Sequence, residues 1–360
     1  MKDTNNYCVI MGGGIGSRFW PFSRESKPKQ FLDFFGVGRS LLQMTFDRFR
    51  KILPLENIYI VTNEGYRDLV AKELPELNSS QILLEPMRRN TAPCVAFASY
   101  HINALNPDAN IVVAASDHLI LKEDEFLKVI QNAYDFVSKN KVLLTLGMRP
   151  SRPETGYGYI QMSDEKLDGV NKVKVFTEKP NIDLAKVFYE SGEFLWNSGI
   201  FIWNVGAIMD AFHEFLPEIT SRFDAGKEYF GTDREKVFID ENFPFCPNIS
   251  IDYGIMEKAS NVYVQAADFG WSDLGTWGSL YDVSDKDDNA NAVLTAKSLF
   301  FDSTENVVAM PSNKVVVIQG LEGYIVAESE NVLLICKKEE EQRIKQFVTD
   351  VKLKFGDEFV

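Results

Sequence analysis

Between residues 7 and 147, five apolar, β-branched runs alternate with helical patterns, and this alternation restricts the possible folds more than any other feature of the chain. The runs occupy residues 7–11, 58–62, 81–84, 111–115 and 142–146. Continuous apolar runs bounded by turn residues suit strands covered on both faces. Between them, Ser40 can cap a helix on which Leu42, Phe46, Phe49 and Leu53 share a face. Phe126, Val129, Ile130, Ala133, Phe136 and Val137 make a second helical stripe. Strands alternating with helices require right-handed crossovers, so the expected fold is a doubly wound α/β domain on a mainly parallel sheet.

The rest of the chain reads differently. Residues 156–205 are strand-rich, and helices return around 206–216 and 252–259. The polar stretch 285–291 (DKDDNAN) reads as a linker, dividing a domain over 1–285 from an extension over 286–360. In that extension, β-like runs at 298–301, 307–310, 315–318, 324–328 and 332–336 predict a small β-sheet or β-helix-like cap, and a charged helix over 339–354 follows. With 45% hydrophobic residues among 360, the chain can bury a large core. Its apolar runs are too short to span a membrane, and no signal-peptide pattern opens it, so a cytoplasmic protein with no membrane partner is expected. Four cysteines form no CxxC pair and three histidines show no zinc-ligand spacing, which argues against a disulfide framework or structural zinc. A formal charge of −14 without a basic stripe argues against a nucleic-acid partner.

The cations do converge in one place. The first run ends in Gly12-Gly13-Gly14-Ile15-Gly16-Ser17-Arg18, and Arg24, Lys27 and Lys29 follow. Glycines let the backbone approach a phosphate, and successive N–H groups form an anion-binding concavity. A dinucleotide fingerprint would lead straight into a helix, whereas Pro21 and Pro28 interrupt one here. The loop is therefore read as a polyphosphate site. Asp117 follows the run at 111–115, at a carboxyl end of the sheet, where a hard oxygen donor suits Mg²⁺; a turn-capping Asp is the alternative. Asp273, in GWSDLG, is a second acidic candidate, and spacing does not show that the two meet. Glu178 and Lys179 could serve sugar hydroxyls and a phosphate, or form a surface ion pair. Trp196-Asn197-Ser198-Gly199 could be a sugar platform or an aromatic turn.

Taken in order, GGGIGSRFWPFSRESKPKQF, LEPMRRNTAP, ASDH, TGYGY, FTEKP, WNSGIF and GWSDLGTW resemble the mannose-1-phosphate guanylyltransferases over about residues 7 to 285. Thr177 replaces the family's usual Val, Ala115 stands where many relatives have Pro, and Phe19 and Phe22 replace Leu; none of these removes a chemical group. The resemblance implies a Rossmann-like, GT-A-like nucleotidyltransferase fold. It implies that Arg18 and Lys29 bind the triphosphate, with Gly12, Gly13, Gly14, Gly16 and Ser17 around it, and that Asp117 and Asp273 hold Mg²⁺. Lys179 would contact the sugar phosphate, with Gly158, Glu178 and Asn197 around the ring. Glu85, Asn90 and Thr91 would lie beside the base, Glu85 complementing the guanine N1–H and N2–H₂ donors unless Arg88 pairs with it instead.

The implied reaction is in-line attack of mannose 1-phosphate on the α-phosphorus of GTP, releasing pyrophosphate. A phosphate monoester with a second pKa near about 6 is already largely anionic at neutral pH, so no general base is required and His118 is read as a structural neighbour. Since the long bacterial form carries a further isomerase domain, a monofunctional enzyme is expected, and a homodimer is possible. Three rivals remain: a pyrophosphorylase for another sugar 1-phosphate or nucleotide, a silent sugar-nucleotide-binding subunit, and a dehydrogenase. The intact set of Arg18, Lys29, Asp117, Lys179 and Asp273 disfavours the silent subunit, and the prolines and cations after Gly16 disfavour the dehydrogenase.

Overall fold

The computed structural model describes residues 4–294 and 296–360, and the chain forms two compact units. The first comprises the segment up to Gly13, Thr45–Ser116 and Ile120–Trp271; the second comprises Gly14–Met44, Asp117–Leu119 and Ser272–Val360.

The first ten strands are β1 (Asn6–Met11), β2 (Ile58–Asn63), β3 (Ile82–Glu85), β4 (Asn110–Ala115), the two-residue β5 (Leu119–Ile120), β6 (Leu143–Met148), β7 (Tyr159–Leu167), β8 (Val170–Thr177), β9 (Phe194–Asn204) and β10 (Val262–Ala267). All but β5 build the nine-stranded sheet of the first unit, in the order β3-β2-β1-β4-β9-β6-β10-β8-β7. β1 pairs in parallel with β2 and β4, β2 with β3, and β6 with β10. β9 runs against β4, β6 and β7, and β8 against β10 and β7. β1, β2, β3, β4, β6, β7 and β10 therefore share one direction, and the sheet is mainly parallel as expected. Each of the five apolar runs is a strand of this sheet, displaced by no more than two residues. The insertion of β9 between β4 and β6 is a tertiary choice that no local pattern announces.

Burial explains the continuous apolar runs. Val9, Ile10, Ile60, Val112, Val113, Leu143, Leu144 and Ile202 are all buried, because helices cover both faces of the sheet. The helix Thr91–Leu105 is buried continuously from Ala92 to Ile102 and mostly apolar, with its buried His101 paired to Glu235 at 2.7 Å. The helix Glu123–Val137 buries Phe126, Ile130, Ala133, Phe136 and Val137 of the stripe expected from spacing and leaves Val129 half-buried, and the Tyr134 hydroxyl donates to the carbonyl of Tyr7 at 2.8 Å.

The two-residue strand β11 (Trp271–Ser272) ends the first unit's last segment and begins the second's; within the second unit lies a parallel coil of β12 (Ala292–Leu294), β13 (Lys297–Phe301), β14 (Val307–Ala309), β15 (Val315–Gln319) and β16 (Tyr324–Ser329), which β17 (Val332–Lys337) closes by pairing antiparallel to β16. Ala292 lies beside Val307, Val307 beside Ile325, and Lys297 beside Val315, so successive turns stack in register. Val308, Met310, Ile318 and Val326 fill the interior. The polar stretch 285–291 is an ordered turn within this unit. The Asp287 carboxylate accepts from the backbone N–H groups of Asn289 and Asn291, and buried Asn291 accepts in turn from Asn306. The charged helix begins as a tight turn over Lys338–Arg343 and becomes α-helical over Ile344–Phe355. A second core gathers Phe19, Phe34, Trp277, Leu280, Val307, Ile325 and Ile344. Phe19 sits 4.8 Å from Phe34 and 5.2 Å from Trp277 between ring centroids, and Phe22 lies 5.7 Å from Trp277. The two Leu-to-Phe departures thus serve an aromatic cluster. No helix among the described residues is long and apolar enough to cross a membrane.

Candidate active site

In the second unit the glycine-rich loop folds back on itself. Gly16 adopts φ +71, and a Cβ there would overlap the Cβ of Lys29, so only glycine permits the approach. The Lys29 N–H donates to the carbonyl of Ile15 at 3.1 Å and Ser23 Oγ to that of Gly16 at 2.5 Å. This buries Lys29, only 3% exposed. Its ammonium lies 2.9 Å from Asp117 Oδ2 and donates to the main-chain carbonyl of Asp273 at 2.7 Å. The two acidic residues, far apart in sequence, therefore meet on Lys29. Burial opposes ionisation of Asp117, but the charges of Lys29 and His118 outweigh it and hold the carboxyl below its ordinary range.

The remaining loop cations divide. Arg18 is on the surface, its Nε donating to Gln342 Oε1 at 2.9 Å. It stands close enough to Lys345 that its charge, aided by burial, lowers the lysine pKa. Arg24, expected in the row of triphosphate cations, is buried and turned away: it donates to the carbonyls of Ser329 and Glu358 and to Asn331 Oδ1. The reason is packing, since a buried guanidinium needs several acceptors and these carbonyls supply them.

In the first unit Gly12 and Gly13 continue from β1. The Gly12 N–H donates to the carbonyl of Val61 at 2.8 Å. A Cβ on Gly13 would come within 3.6 Å of Glu85 Oε2. Arg88 does not absorb Glu85; its Nε donates to the Gly13 carbonyl and its Nη2 to the Tyr66 hydroxyl, at 3.2 and 2.6 Å. Glu85 Oε1 is buried with no hydrogen-bond partner among the described residues. Burial pushes the Glu85 carboxyl up to about 7, against the opposing pull of Cys94 and Arg88. Asn90, at φ 65, caps the helix Thr91–Leu105 through its side chain, and Thr91 Oγ1 accepts from the Ile251 N–H at 2.9 Å.

A second cluster of the first unit gathers Gly158, Glu178, Lys179 and Asn197. The Asn197 N–H donates to the Gly158 carbonyl at 2.8 Å, and a Cβ on Gly158 would strike Glu178 Oε2. Beside a register shift between Thr145 and Gly147, Thr145 Oγ1 donates to Asn197 Oδ1 at 3.1 Å and fixes the carboxamide. Lys179, at φ 46, pairs with Glu178, and although burial opposes it, this pairing holds the ammonium above its ordinary value. Asp252 completes the cluster and was missed from sequence: its Oδ1 accepts from Asn197 Nδ2 at 2.9 Å. Burial, then the Glu178 charge, pushes its carboxyl up to about 6. The available signal was an acid set among Ile249, Ile251, Ile255 and Met256, where a carboxyl must be buried and partnered.

The Nucleotidyl transferase family model matches residues 7–290, and the MannoseP isomerase/GMP-like beta-helix domain model matches residues 300–351. The chain is 36% identical over 361 residues to a mannose-1-phosphate guanylyltransferase of Salmonella montevideo, covering 98% of this chain and 75% of that protein. It is 34% identical to the mannose-1-phosphate guanylyltransferase of Escherichia coli (strain K12), covering 98% and 74%. The chain belongs to the mannose-1-phosphate guanylyltransferase family. A solved structure, described as mannose-1-phosphate geranyltransferase from Thermus thermophilus, superposes with a TM-score of 0.86 at 29% identity, covering 97% of this chain and 99% of that one.

Nucleotidyltransferases of this kind generally depend on a divalent metal, and Asp117 and Asp273 are carboxylate residues of the type that suits one. Asp117 is an ionised carboxylate, and Asp273 holds its own side chain by accepting from the Gly275 N–H at 2.8 Å. Among the described residues no group of three His, Cys, Asp or Glu side chains could hold an ion. Two carboxylates fit an ion that takes its other ligands from substrate phosphates and water.

Proposed function

We propose that the chain transfers GMP from GTP to α-D-mannose 1-phosphate, giving GDP-mannose and pyrophosphate. The observation that carries the reading is the convergence of Asp117 and Asp273 on the buried Lys29 ammonium at the base of the glycine-rich loop. The names of the relatives support the two substrates.

Arg18 and Lys29, with the backbone of Gly12, Gly13, Gly14, Gly16 and Ser17, bind the triphosphate and neutralise charge that builds on it during displacement. Asp117 and Asp273 would hold Mg²⁺, which would supply charge screening of the phosphates and Lewis-acid polarisation at the reacting phosphorus. Glu85 accepts from guanine N1–H and N2–H₂ through its unpartnered oxygen, and Asn90 and Thr91 shape the wall beside the base. Lys179 exchanges its bond with Glu178 for one to the sugar phosphate, freeing Glu178 to join Asn197 at the sugar hydroxyls. Gly158 keeps that space open. The nucleophile arrives ionised, so these residues align and neutralise, and none needs to remove a proton.

We read residues 1–285 as the catalytic part and 286–360 as a coil with a helix, a reading that the ranges of the two family models support. One face of β13 and β15 exposes Leu299, Phe301, Val315 and Val317, an apolar surface suited to pairing two copies in a homodimer.

The test is pyrophosphate release with four nucleoside triphosphates against mannose, glucose and galactose 1-phosphates. Turnover should be highest with GTP and mannose 1-phosphate. A preference for another pair would sink the assignment of substrates.

A further inference from the structure

Arg24 and Trp20 lie inside the glycine-rich loop, yet neither faces a space where a phosphate could enter. Trp20 is 4% exposed, and its Nε1 donates to the carbonyl of Phe359 at 2.8 Å. Arg24 is 6% exposed and spreads its guanidinium over three stretches of chain, at Pro21, 329–331 and Glu358. Nη1 donates to the Glu358 carbonyl at 3.1 Å and lies 3.4 Å from Glu330 Oε2. Nη2 donates to the Ser329 carbonyl at 3.1 Å and to Asn331 Oδ1 at 2.9 Å, while Nε reaches the Pro21 carbonyl at 3.4 Å. Asn331 Nδ2 donates in turn to the Glu358 carbonyl at 3.4 Å. A planar fork with fixed donors, satisfied this fully, holds one geometry.

That geometry controls the loop. Arg24 and Lys27 exchange backbone hydrogen bonds, each 3.1 Å, in the turn that delivers Lys29. Just before Arg24, Ser23 donates to the Gly16 carbonyl. The segments at 329–331 and 358–359 therefore grip the middle of a loop whose two ends are Gly16 and Lys29. A third contact, from Gln342 to Arg18, reaches the same loop from the turn before the last helix.

We propose that Arg24 is a positioning residue for the triphosphate, and that the segments at 329–331 and 358–359 are a working part of the nucleotide site, acting through Arg24 and Trp20 to hold Lys29 and the loop backbone in place. This rests on the reading of the loop as the GTP site. The segment that resembles a mere extension then sets GTP affinity without touching GTP. Separation of the two substrates is the expected consequence, because no hydrogen bond of this clasp involves Gly158, Glu178, Lys179 or Asn197.

The experiment measures KM for GTP and for mannose 1-phosphate in the full chain and in Arg24→Gln, Arg24→Lys, Trp20→Phe, Asn331→Ala and the double variant Arg24→Gln/Asn331→Ala. Loss of hydrogen bonds to a charged group should raise the GTP KM of Arg24→Gln by about tenfold or more, with the sugar-phosphate KM within about twofold. Asn331→Ala and Trp20→Phe, which leave the loop's charge unchanged, should show the same split to a smaller degree. Arg24→Lys should recover little, since an ammonium cannot span the acceptors. The double variant should be no worse than Arg24→Gln, since both break one clasp. If Asn331→Ala and Trp20→Phe leave both KM values unchanged, or if both substrates suffer equally, the proposal is overturned. Failure of the wild-type chain to use GTP at all would instead overturn the functional reading, so the two failures are distinct.

Discussion

If Glu85 receives the base as proposed, base recognition is coupled to pH. In the free protein its carboxyl is pushed up to about 7, mainly by burial, while guanine needs it ionised to accept two N–H donors. GTP binding below pH 7 must therefore release a proton, and the KM for GTP should rise as pH falls, approaching about tenfold per unit well below the pKa. Glu85→Gln should flatten that profile and narrow the preference for GTP over ATP; an unchanged profile would separate Glu85 from the base. Stability runs the other way. Folded Glu85 keeps its proton to higher pH than the unfolded chain does, so ionising it costs stability from its ordinary range up through about 7. Glu85→Gln should thus raise Tm at pH 8 more than at pH 4. At the other cluster, Lys179→Ala should raise the KM for mannose 1-phosphate by about 10- to 100-fold, the loss of one or two charge-assisted hydrogen bonds, with the GTP KM nearly constant. Asp117→Ala should abolish metal-dependent turnover and also lower Tm, because it strands the buried Lys29 ammonium. The loss should be about 1–3 kcal/mol, below that for a fully buried pair because the Asp117 side chain is 30% exposed.

At the scale of an element, the loop from Gly14 to Lys29 works as a folded object whose backbone matters as much as its cations. Gly16→Ala places a methyl group against Lys29 and forces φ +71 on a residue that resists it. A strain of about 1–3 kcal/mol should shift Lys29 and cut kcat for GTP, with far-ultraviolet circular dichroism unchanged. Full activity in Gly16→Ala would show that the Gly16–Lys29 contact is not needed. Much of this element was legible: the glycines, the prolines that stop a helix, and Lys29. The direction of Arg24 was not, because a cation next to a phosphate loop and a cation gripping distant carbonyls look alike in one dimension.

For the whole molecule, the exposed face of the coil is where the proposed homodimer is tested. Leu299, Phe301, Val315 and Val317 are each more than half exposed, and their parallel register puts them on one flat surface. Leu299→Glu with Val317→Lys should shift sedimentation to the monomer with turnover preserved. A wild-type chain that already sediments as a monomer would remove the dimer from the account.

The sequence by itself determined the five strands β1, β2, β3, β4 and β6 of the sheet, most of the stripe of the helix Glu123–Val137, the β-rich coil, and the residue types of both clusters. These follow from local periodicity, turn chemistry and ordered motifs, which one dimension records. Tertiary structure alone decided that Asp117 and Asp273 meet on Lys29, that β9 enters between β4 and β6 and carries Asn197 to Asp252, and that Glu85 keeps an unpartnered oxygen. Each of those depends on contacts between residues tens to hundreds of positions apart. The cations of the opening loop were visible as a row, but burial and the supply of acceptors assigned Lys29 to the acidic pair and Arg24 to the carbonyls at 329 and 358.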